Sequence, residues 1–331
     1  MKNKKTVLVT GAAGFIGSHL VDILLEKKIF TVIAIDNLIG GNIKNIRKHF
    51  LNKNFKFYKK NILNIDEIKI KKNIDYIFHF AGIGDIVPSI ERPKSYFDTN
   101  VSGTLSVLEF SRKYNLKKFV YAASSSCYGI ANTPTDEKHK IDPQYPYALS
   151  KYFGEQMCFH WMKVYNIPVN SIRIFNAYGP RYKTTGAYGS VIGVFLKQML
   201  SNKPLTVVGS GRQKRDYCHV KDVTRAFYNA AISSKKGQIW NLGYGKPEAI
   251  NKLIKHLNYK KRVKIPKRPG EPYATHSEVK KIKKDLNWRP KISFRDGIRE
   301  LLINIGEWEN APLWTPSKIK KATKSWFKYL R

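Results

Sequence analysis

An α/β fold is what this sequence predicts: a doubly wound parallel sheet with a smaller α/β lobe toward the C-terminus. Three observations carry that expectation. Near-continuous apolar runs at 6–9, 31–35, 75–80, 118–123 and 169–175, with a weakly alternating run at 55–58, are separated by longer segments. Such runs are strands buried on both faces, and the segments between them are long enough for helical crossovers. The first run leads into the glycine-rich T-G-A-A-G-F-I-G at 10–17 and then to His19, Leu20, Ile23 and Leu24, which share a helical spacing. Beyond residue 176 the regular alternation breaks, and 209–223 is dense in turn formers and charge. Residues 1–176, rejoined by 217–243, are therefore expected to form the sheet unit, and 177–216 with 244–331 the smaller lobe.

The glycine stretch has a chemical reading. Gly11 permits a tight turn, Gly14 removes the side chain that would block a pyrophosphate, and Gly17 lets the helix pack on the strand. Phe15 and Ile16 then lie in a first helical turn whose N–H groups are free for phosphate. A plain strand-to-helix turn would explain the glycines alone. It does not explain Asp36 at the end of the second strand, about 20 residues on, where a ribose-binding carboxylate belongs. Dinucleotide binding is the better reading. The loop 37–46, opening with Asn37, then covers the adenosine end, and Asn61 and Ile62 after the third strand approach the adenine. Ala81 and Gly82 end the fourth strand with small residues that admit a cofactor, whereas His79 inside that strand reads as a core histidine.

The fifth strand ends in Ser124, Ser125 and Ser126, at the edge where ligands of doubly wound sheets gather. A helix over 95–113 carries Asn100, and another over 146–165 opens with Tyr147 and Lys151, four apart and on one face. That spacing alone is common and would usually be surface decoration.

Composition narrows the classes. The net charge of +36 raises a nucleic-acid reading, but the lysines are scattered through almost every segment rather than gathered in a stripe. We expect no nucleic-acid partner, only faster encounter with anionic small molecules. No apolar run is long enough to span a bilayer, and the first strand begins at residue 6, so neither a membrane span nor a signal peptide is expected. Cys127, Cys158 and Cys218 are widely spaced, which suggests a reduced, cytoplasmic setting without a structural metal. In the tail from Trp308, aromatics interleave with lysines; Ile319, Ala322, Trp326 and Tyr329 lie at helical spacing and are expected to dock on the body.

Taken together, T-G-A-A-G-F-I-G, D-N-L, H-F-A-G, N-V-S-G-T-L, S-S-S-C-Y-G, Y-A-L-S-K, R-I-F-N-A-Y-G-P-R, R-D-Y-C-H-V-K-D-V and R-P-G-E resemble the extended short-chain dehydrogenase/reductases, and within them the nucleotide-sugar 4-epimerases of the UDP-glucose type. The resemblance covers nearly the whole chain. It departs at Asn61, where the family often has Asp, and at His219, where an aromatic is usual. It implies a Rossmann sheet, bound NAD and a UDP-sugar substrate. It makes Tyr147 the base at the sugar's 4-hydroxyl, Lys151 the group that holds the nicotinamide ribose and tunes Tyr147, and Ser124 the bridging hydroxyl, with Ser125 and Ser126 assisting. Asn100 joins the cofactor contacts, and Asn176, Arg215 and Arg268 surround the uracil and diphosphate, with Gln213 and Tyr217 as weaker candidates. Thr275 falls where a residue gates the carbon 2 substituent; being small, it leaves room for an N-acetyl group, which its hydroxyl is placed to bond. Resembling dehydratases carry Asp-Glu at the positions of Ser125 and Ser126, and resembling decarboxylases keep a glutamate at Ser126, so epimerisation is preferred. The alternatives are a UDP-uronic acid 4-epimerase or decarboxylase and, from another class, a non-catalytic NAD- or nucleic-acid-binding protein. The helices over 99–111 and 146–165 imply a homodimer.

Overall fold

The computed structural model describes residues 4–182 and 188–330; 184–187 of the glycine-rich loop before residue 191 lie outside the described residues. The first strands follow the apolar runs closely: β1 (Lys5–Thr10), β2 (Phe30–Asp36), β3 (Phe55–Lys59), β4 (Tyr76–His79), β5 (Lys118–Ser124) and β6 (Val169–Ile174). Short strands follow, β7 (Asn176–Tyr178), β8 (Leu205–Val208), β9 (Lys214–Arg215) and β10 (Tyr217–His219), before β11 (Gln238–Leu242), β12 (Glu248–Ala249) and β13 (Arg262–Ile265). The central sheet has seven parallel strands in the order β11-β6-β5-β4-β1-β2-β3. The chain thus runs outward from β1 in one direction, returns to β4, and builds outward in the other. A crevice opens at that switch point, at the C-terminal ends of the strands.

Helices cover both faces. On one, Leu20, Val21 and Leu24 of α1 (Phe15–Glu26) pack with Val223, Ala226 and Phe227 of a later helix, Val220–Ile232. On the other lie α2 (Pro93–Phe97), α3 (Gly103–Ser111) and α4 (Pro146–Tyr165), with Val107, Leu108 and Cys158 buried on the sheet. The segment expected as one helix over 95–113 contains a π-helical turn, Asp98–Ser102, between α2 and α3. Helices α5 (Val191–Leu200), α6 (the Val220–Ile232 helix), α7 (Ile250–Leu257), α8 (Lys280–Leu286) and α9 (Phe294–Ile303) complete the body. His219 caps the start of α6, its ring accepting from the Lys221 N–H at 3.4 Å. A separate core gathers Phe195, Leu205, Leu253, Ile298 and Trp308.

The tail docks as two short helices, α10 (Pro316–Ala322) and α11 (Lys324–Tyr329). Ile319 and Trp326 are buried as expected, but Tyr329 is 62% exposed. Tyr329 is the last residue of α11, before the extended Leu330, and there its ring packs with the Lys328 ammonium at 4.9 Å. Among the described residues no helix is long and apolar enough to cross a membrane, and no group of His, Cys, Asp and Glu could hold a metal ion. All three cysteines are buried and unpaired.

Candidate functional site

The cofactor side is set by backbone. β1 hands over to Gly11 at φ 66°, and a Cβ there would sit 2.7 Å from the Ala81 nitrogen, so the ends of β1 and β4 close on each other only around glycine. At Gly17 a Cβ would come within 2.2 Å of the Gly11 carbonyl oxygen, which holds α1 tight against the turn. No side chain caps α1 after Gly14, so the first-turn amides of Phe15, Ile16 and Gly17 are open to an anion. The Asp36 carboxylate accepts from the Ala13 N–H at 2.9 Å and the Leu38 N–H at 2.8 Å. Burial raises its pKa, and those two donors work against the rise. A Cβ at Gly41 would lie 2.8 Å from both Asp36 oxygens, so glycine there keeps the carboxylate's approach clear for hydroxyl groups. These features fit a dinucleotide's pyrophosphate and adenosine ribose.

Other residues named on this side have varied settings. Asn37 turns its own loop, accepting from the Ile39 N–H at 3.1 Å. Exposed Asn61 caps the turn Ile62–Glu67, accepting from the Leu63 N–H at 3.1 Å, and Ile62 is buried under α3 at Gly103. Asn100, in the π-helical turn, is fully buried: its amide joins Ile83 of the loop after β4 (2.8 Å and 3.2 Å) to Ser150 of α4 (3.0 Å). Its side chain organises the wall of the crevice, and π-helical turns recur at such sites. His79 sits between the Thr10 and Thr104 hydroxyls at 2.6 Å and 3.0 Å, fully buried, with burial lowering its pKa to about 3. It is a core histidine.

The reacting groups converge at the exit of β5. Ser124 is the last strand residue; its hydroxyl accepts from the Ser126 N–H at 3.2 Å and stands near enough to the Tyr147 phenol to draw its pKa down. Tyr147 and Lys151 lie on the first two turns of α4, which can approach β5 because residue 154 is glycine; a Cβ there would meet the Tyr121 hydroxyl at 2.2 Å. The same hydroxyl donates to the Lys151 carbonyl at 3.2 Å, and the Lys151 Nζ lies 4.4 Å from the Tyr121 ring centroid. Burial lowers Lys151 to about 8. Sequence reasoning expects Lys151 to bring the Tyr147 phenol down. Instead burial dominates and raises it, with Ser124 pulling it back and Asp85 adding to the rise. Ser125 and Ser126 lie in the turn Ser125–Tyr128, and Ser126 works against the burial that raises the Tyr145 pKa.

The opposite wall belongs to side-chain pairing. The Arg215 Nη2 donates to Glu271 at 2.8 Å, and Arg268 grips the same carboxylate at 2.8 Å and 3.0 Å. Burial alone would raise the Glu271 pKa; Arg268 and then Arg215 hold it below its usual value. The Thr275 hydroxyl donates to the Asn176 Oδ1 at 2.8 Å and accepts from the Asp216 N–H at 3.2 Å. With its proton committed to Asn176, this hydroxyl could meet an N-acetyl group only as an acceptor from the amide N–H. Gln213 donates to the Val208 carbonyl at 3.1 Å, and Tyr217 is buried against Phe294, its rings stacked at 4.8 Å.

Sequence reasoning missed several organisers. Asp216, fully buried, accepts from the N–H groups of Tyr244 (2.8 Å), Gly245 (3.0 Å) and Ser277 (2.8 Å) and from the Ser277 hydroxyl (2.7 Å), fixing the loop that carries Thr275. The Glu155 carboxylate on α4 meets Arg173 of β6 at 2.6 Å, and Arg173 in turn reaches the Tyr128 hydroxyl at 2.8 Å. The one available signal was an arginine inside an otherwise apolar strand run.

Comparison with known proteins now bears on this geometry. Residues 7–243 match the NAD dependent epimerase/dehydratase family. A Methanocaldococcus jannaschii protein named, provisionally, a UDP-glucose 4-epimerase is 38% identical over 305 residues, spanning 89% of this chain and 97% of its own. The crystal structure of a Bacillus cereus UDP-glucuronic acid 4-epimerase with UDP-glucuronic acid and NAD is similar at 32% identity and a TM-score of 0.83, covering 91% of this chain and 99% of that one. A Methanobrevibacter ruminantium UDP-N-acetylglucosamine 4-epimerase with UDP-N-acetylmuramic acid is similar at 29% identity and a TM-score of 0.85, covering 93% and 98%. The chain belongs to the NAD dependent epimerase/dehydratase family.

Proposed function

We propose that this chain is a 4-epimerase of a UDP-hexose, acting on UDP-glucose and UDP-galactose and accepting their N-acetyl forms. The observation that carries the reading is the meeting of Ser124 at the exit of β5 with Tyr147 and, one turn further along α4, Lys151, where Ser124 acts to lower the Tyr147 pKa. The amides after Gly14 would hold the NAD pyrophosphate, Asp36 and Asn37 the adenosine ribose, and Lys151 the nicotinamide ribose beside Ala81. When bound, NAD supplies a reversible hydride acceptor and a positive ring, the redox chemistry that a change of configuration at carbon 4 needs. Tyr147 takes the proton of the 4-hydroxyl and later returns it. Ser124 bridges the substrate oxygen and the phenol, and the Lys151 ammonium favours the phenolate against the burial that opposes it. Asn176, Arg215 and Arg268 hold the nucleotide, the planar forks of the arginines suiting its phosphate oxygens. In this reading the sheet unit, 1–176 with 217–243, carries NAD, and the lobe carries the UDP-sugar.

Ser125 and Ser126 offer no carboxylate for dehydration or decarboxylation. A UDP-uronic acid 4-epimerase is the second reading, favoured by the likeness to the Bacillus cereus enzyme. Exposed Leu105, Phe153 and Val164 on α3 and α4 suit a homodimer paired across these helices.

Incubation with UDP-glucose, UDP-galactose, their N-acetyl forms and UDP-glucuronate, followed by NMR, tests the assignment. A 4-epimer of a hexose is expected; an epimer of the uronate alone selects the second reading, and no product rejects both. In Thr275→Tyr only the N-acetyl activity is expected to fall, and an equal effect on plain hexoses rejects Thr275 as the gate.

A further inference from the structure

The tail reaches both walls of the crevice through two tryptophans. Trp314 packs edge-on against Tyr188 at 5.4 Å, and the Tyr188 ring lies 5.3 Å from the Arg268 guanidinium. The Trp314 carbonyl is held by the Gln198 Nε2 at 2.7 Å. On α11 the Trp326 Nε1 donates to the Pro269 carbonyl at 2.7 Å, one residue beyond Arg268. Its ring lies 5.5 Å from that of Tyr145, which is stacked parallel (9°) on Tyr147 at 6.4 Å. The Ser325 hydroxyl donates to Glu91 at 3.0 Å, tying the same helix to the loop before α2.

Two features separate this arrangement from ordinary tail docking. Tyr145 stands at the start of α4 in extended conformation and supplies no side-chain cap, so ring packing against Tyr147 and Trp326 holds its position. A six-residue helix such as α11 has little stability of its own. Its other aromatics, Phe327 and Tyr329, are 42% and 62% exposed, while Trp326 is 4% exposed. One ring therefore docks the helix, and it docks between the residue stacked on Tyr147 and the turn that presents Arg268.

We propose that the C-terminal segment is a strap joining the two walls, in which Trp326 is a positioning residue for both Tyr147 and Arg268. The proposal rests on the UDP-hexose reading for its substrate. Removing the indole frees the Tyr145 ring and the Pro269 carbonyl together, so proton transfer and nucleotide binding should suffer at once.

Full-length, NAD-loaded protein carrying Trp326→Ala or Trp326→Phe tests this, with UDP-glucose turnover and calorimetry of UDP alone. Misplacement on this scale costs on the order of 10–100-fold in kcat/KM. Trp326→Ala should lower kcat and weaken UDP binding, with NAD content unchanged. Trp326→Phe keeps a ring against Tyr145 but loses the donor to Pro269, so it should recover kcat while UDP binding stays weak. A merely structural role would not produce that split. If kcat and the UDP Kd of Trp326→Ala both stay within about twofold of the native values, the strap is overturned. If Trp326→Ala loses NAD, the Phe variant decides, and a native UDP Kd there overturns the proposal. Native protein that binds UDP but converts no UDP-sugar refutes the functional reading, and the UDP Kd of the variants then decides the strap. Native protein that binds no UDP overturns both.

Discussion

Two arginine–glutamate constellations in this molecule differ in how far they are buried. Arg173 and Glu155 are 4% and 1% exposed in their side chains, and Ser171 and Tyr128 share their remaining bonds. Arg215 and Arg268 meet Glu271 at 12%, 18% and 27% exposure, at the mouth of the crevice. The residue types are the same and the physics differs. In the first, every charge is enclosed, so breaking one partner strands the other in a medium that cannot solvate it. In the second, each side chain keeps part of its surface open, and in the proposed reading a diphosphate replaces the carboxylate with bonds of the same kind. The first constellation pins α4 to β6; the second is proposed as an exchangeable grip.

That contrast can be broken by experiment. Glu155→Ala should have the largest effect on folding, about 3–5 kcal/mol, because Arg173 is left buried without its partner. Urea unfolding measures it, and a loss below about 1 kcal/mol would put this pair in the same class as the open one. Arg268→Ala should leave unfolding nearly unchanged but remove charged hydrogen bonds to phosphate, about 1.5–3 kcal/mol, which is roughly a 10–100-fold rise in KM for the UDP-sugar. An unchanged KM would remove Arg268 from the nucleotide site. The smallest effect concerns Lys151, whose pKa falls from 10.5 to about 8 through burial. Between those values the unfolded chain binds more protons than the folded one, so stability rises with pH; the cost of burial is full below pH 8 and gone above 10.5. Lys151→Met should accordingly be more stable than the native protein at pH 7, with the advantage vanishing toward pH 10.5. A constant difference across that range would show that Lys151 is not the group responsible.

Much of the sheet was legible because its strands are buried on both faces and leave near-continuous apolar runs, and because Gly11, Gly17 and Asp36 answer to local backbone demands. Ser124, Tyr147 and Lys151 could be placed for the same reason, as each follows a strand end or a helix start. What escaped depends on pairing between distant positions. Glu155 on a helix reads as solvated until Arg173 is seen opposite it, and Asp216 becomes a clamp only when residues 244–277 fold back over it. Tyr145 has no signal at all, because its ring meets Trp326 from the far end of the chain. Tyr329 was misjudged because helical spacing does not say where α11 ends, and Tyr329 is its last residue.

The proposed function gives Tyr147 the task of moving the proton of the sugar's 4-hydroxyl. Single-turnover epimerisation of a UDP-hexose by Tyr147→Phe protein, with its NAD content measured alongside, tests that claim most directly. The phenyl ring preserves the stacking on Tyr145 and the edge contact with Tyr96 at 6.4 Å, so the fold and the cofactor site stay intact. The predicted result is full NAD occupancy with a rate lower by about 10²–10⁴-fold, the range for a positioned acid–base group. A rate near that of the native protein, with NAD still bound, would contradict the account.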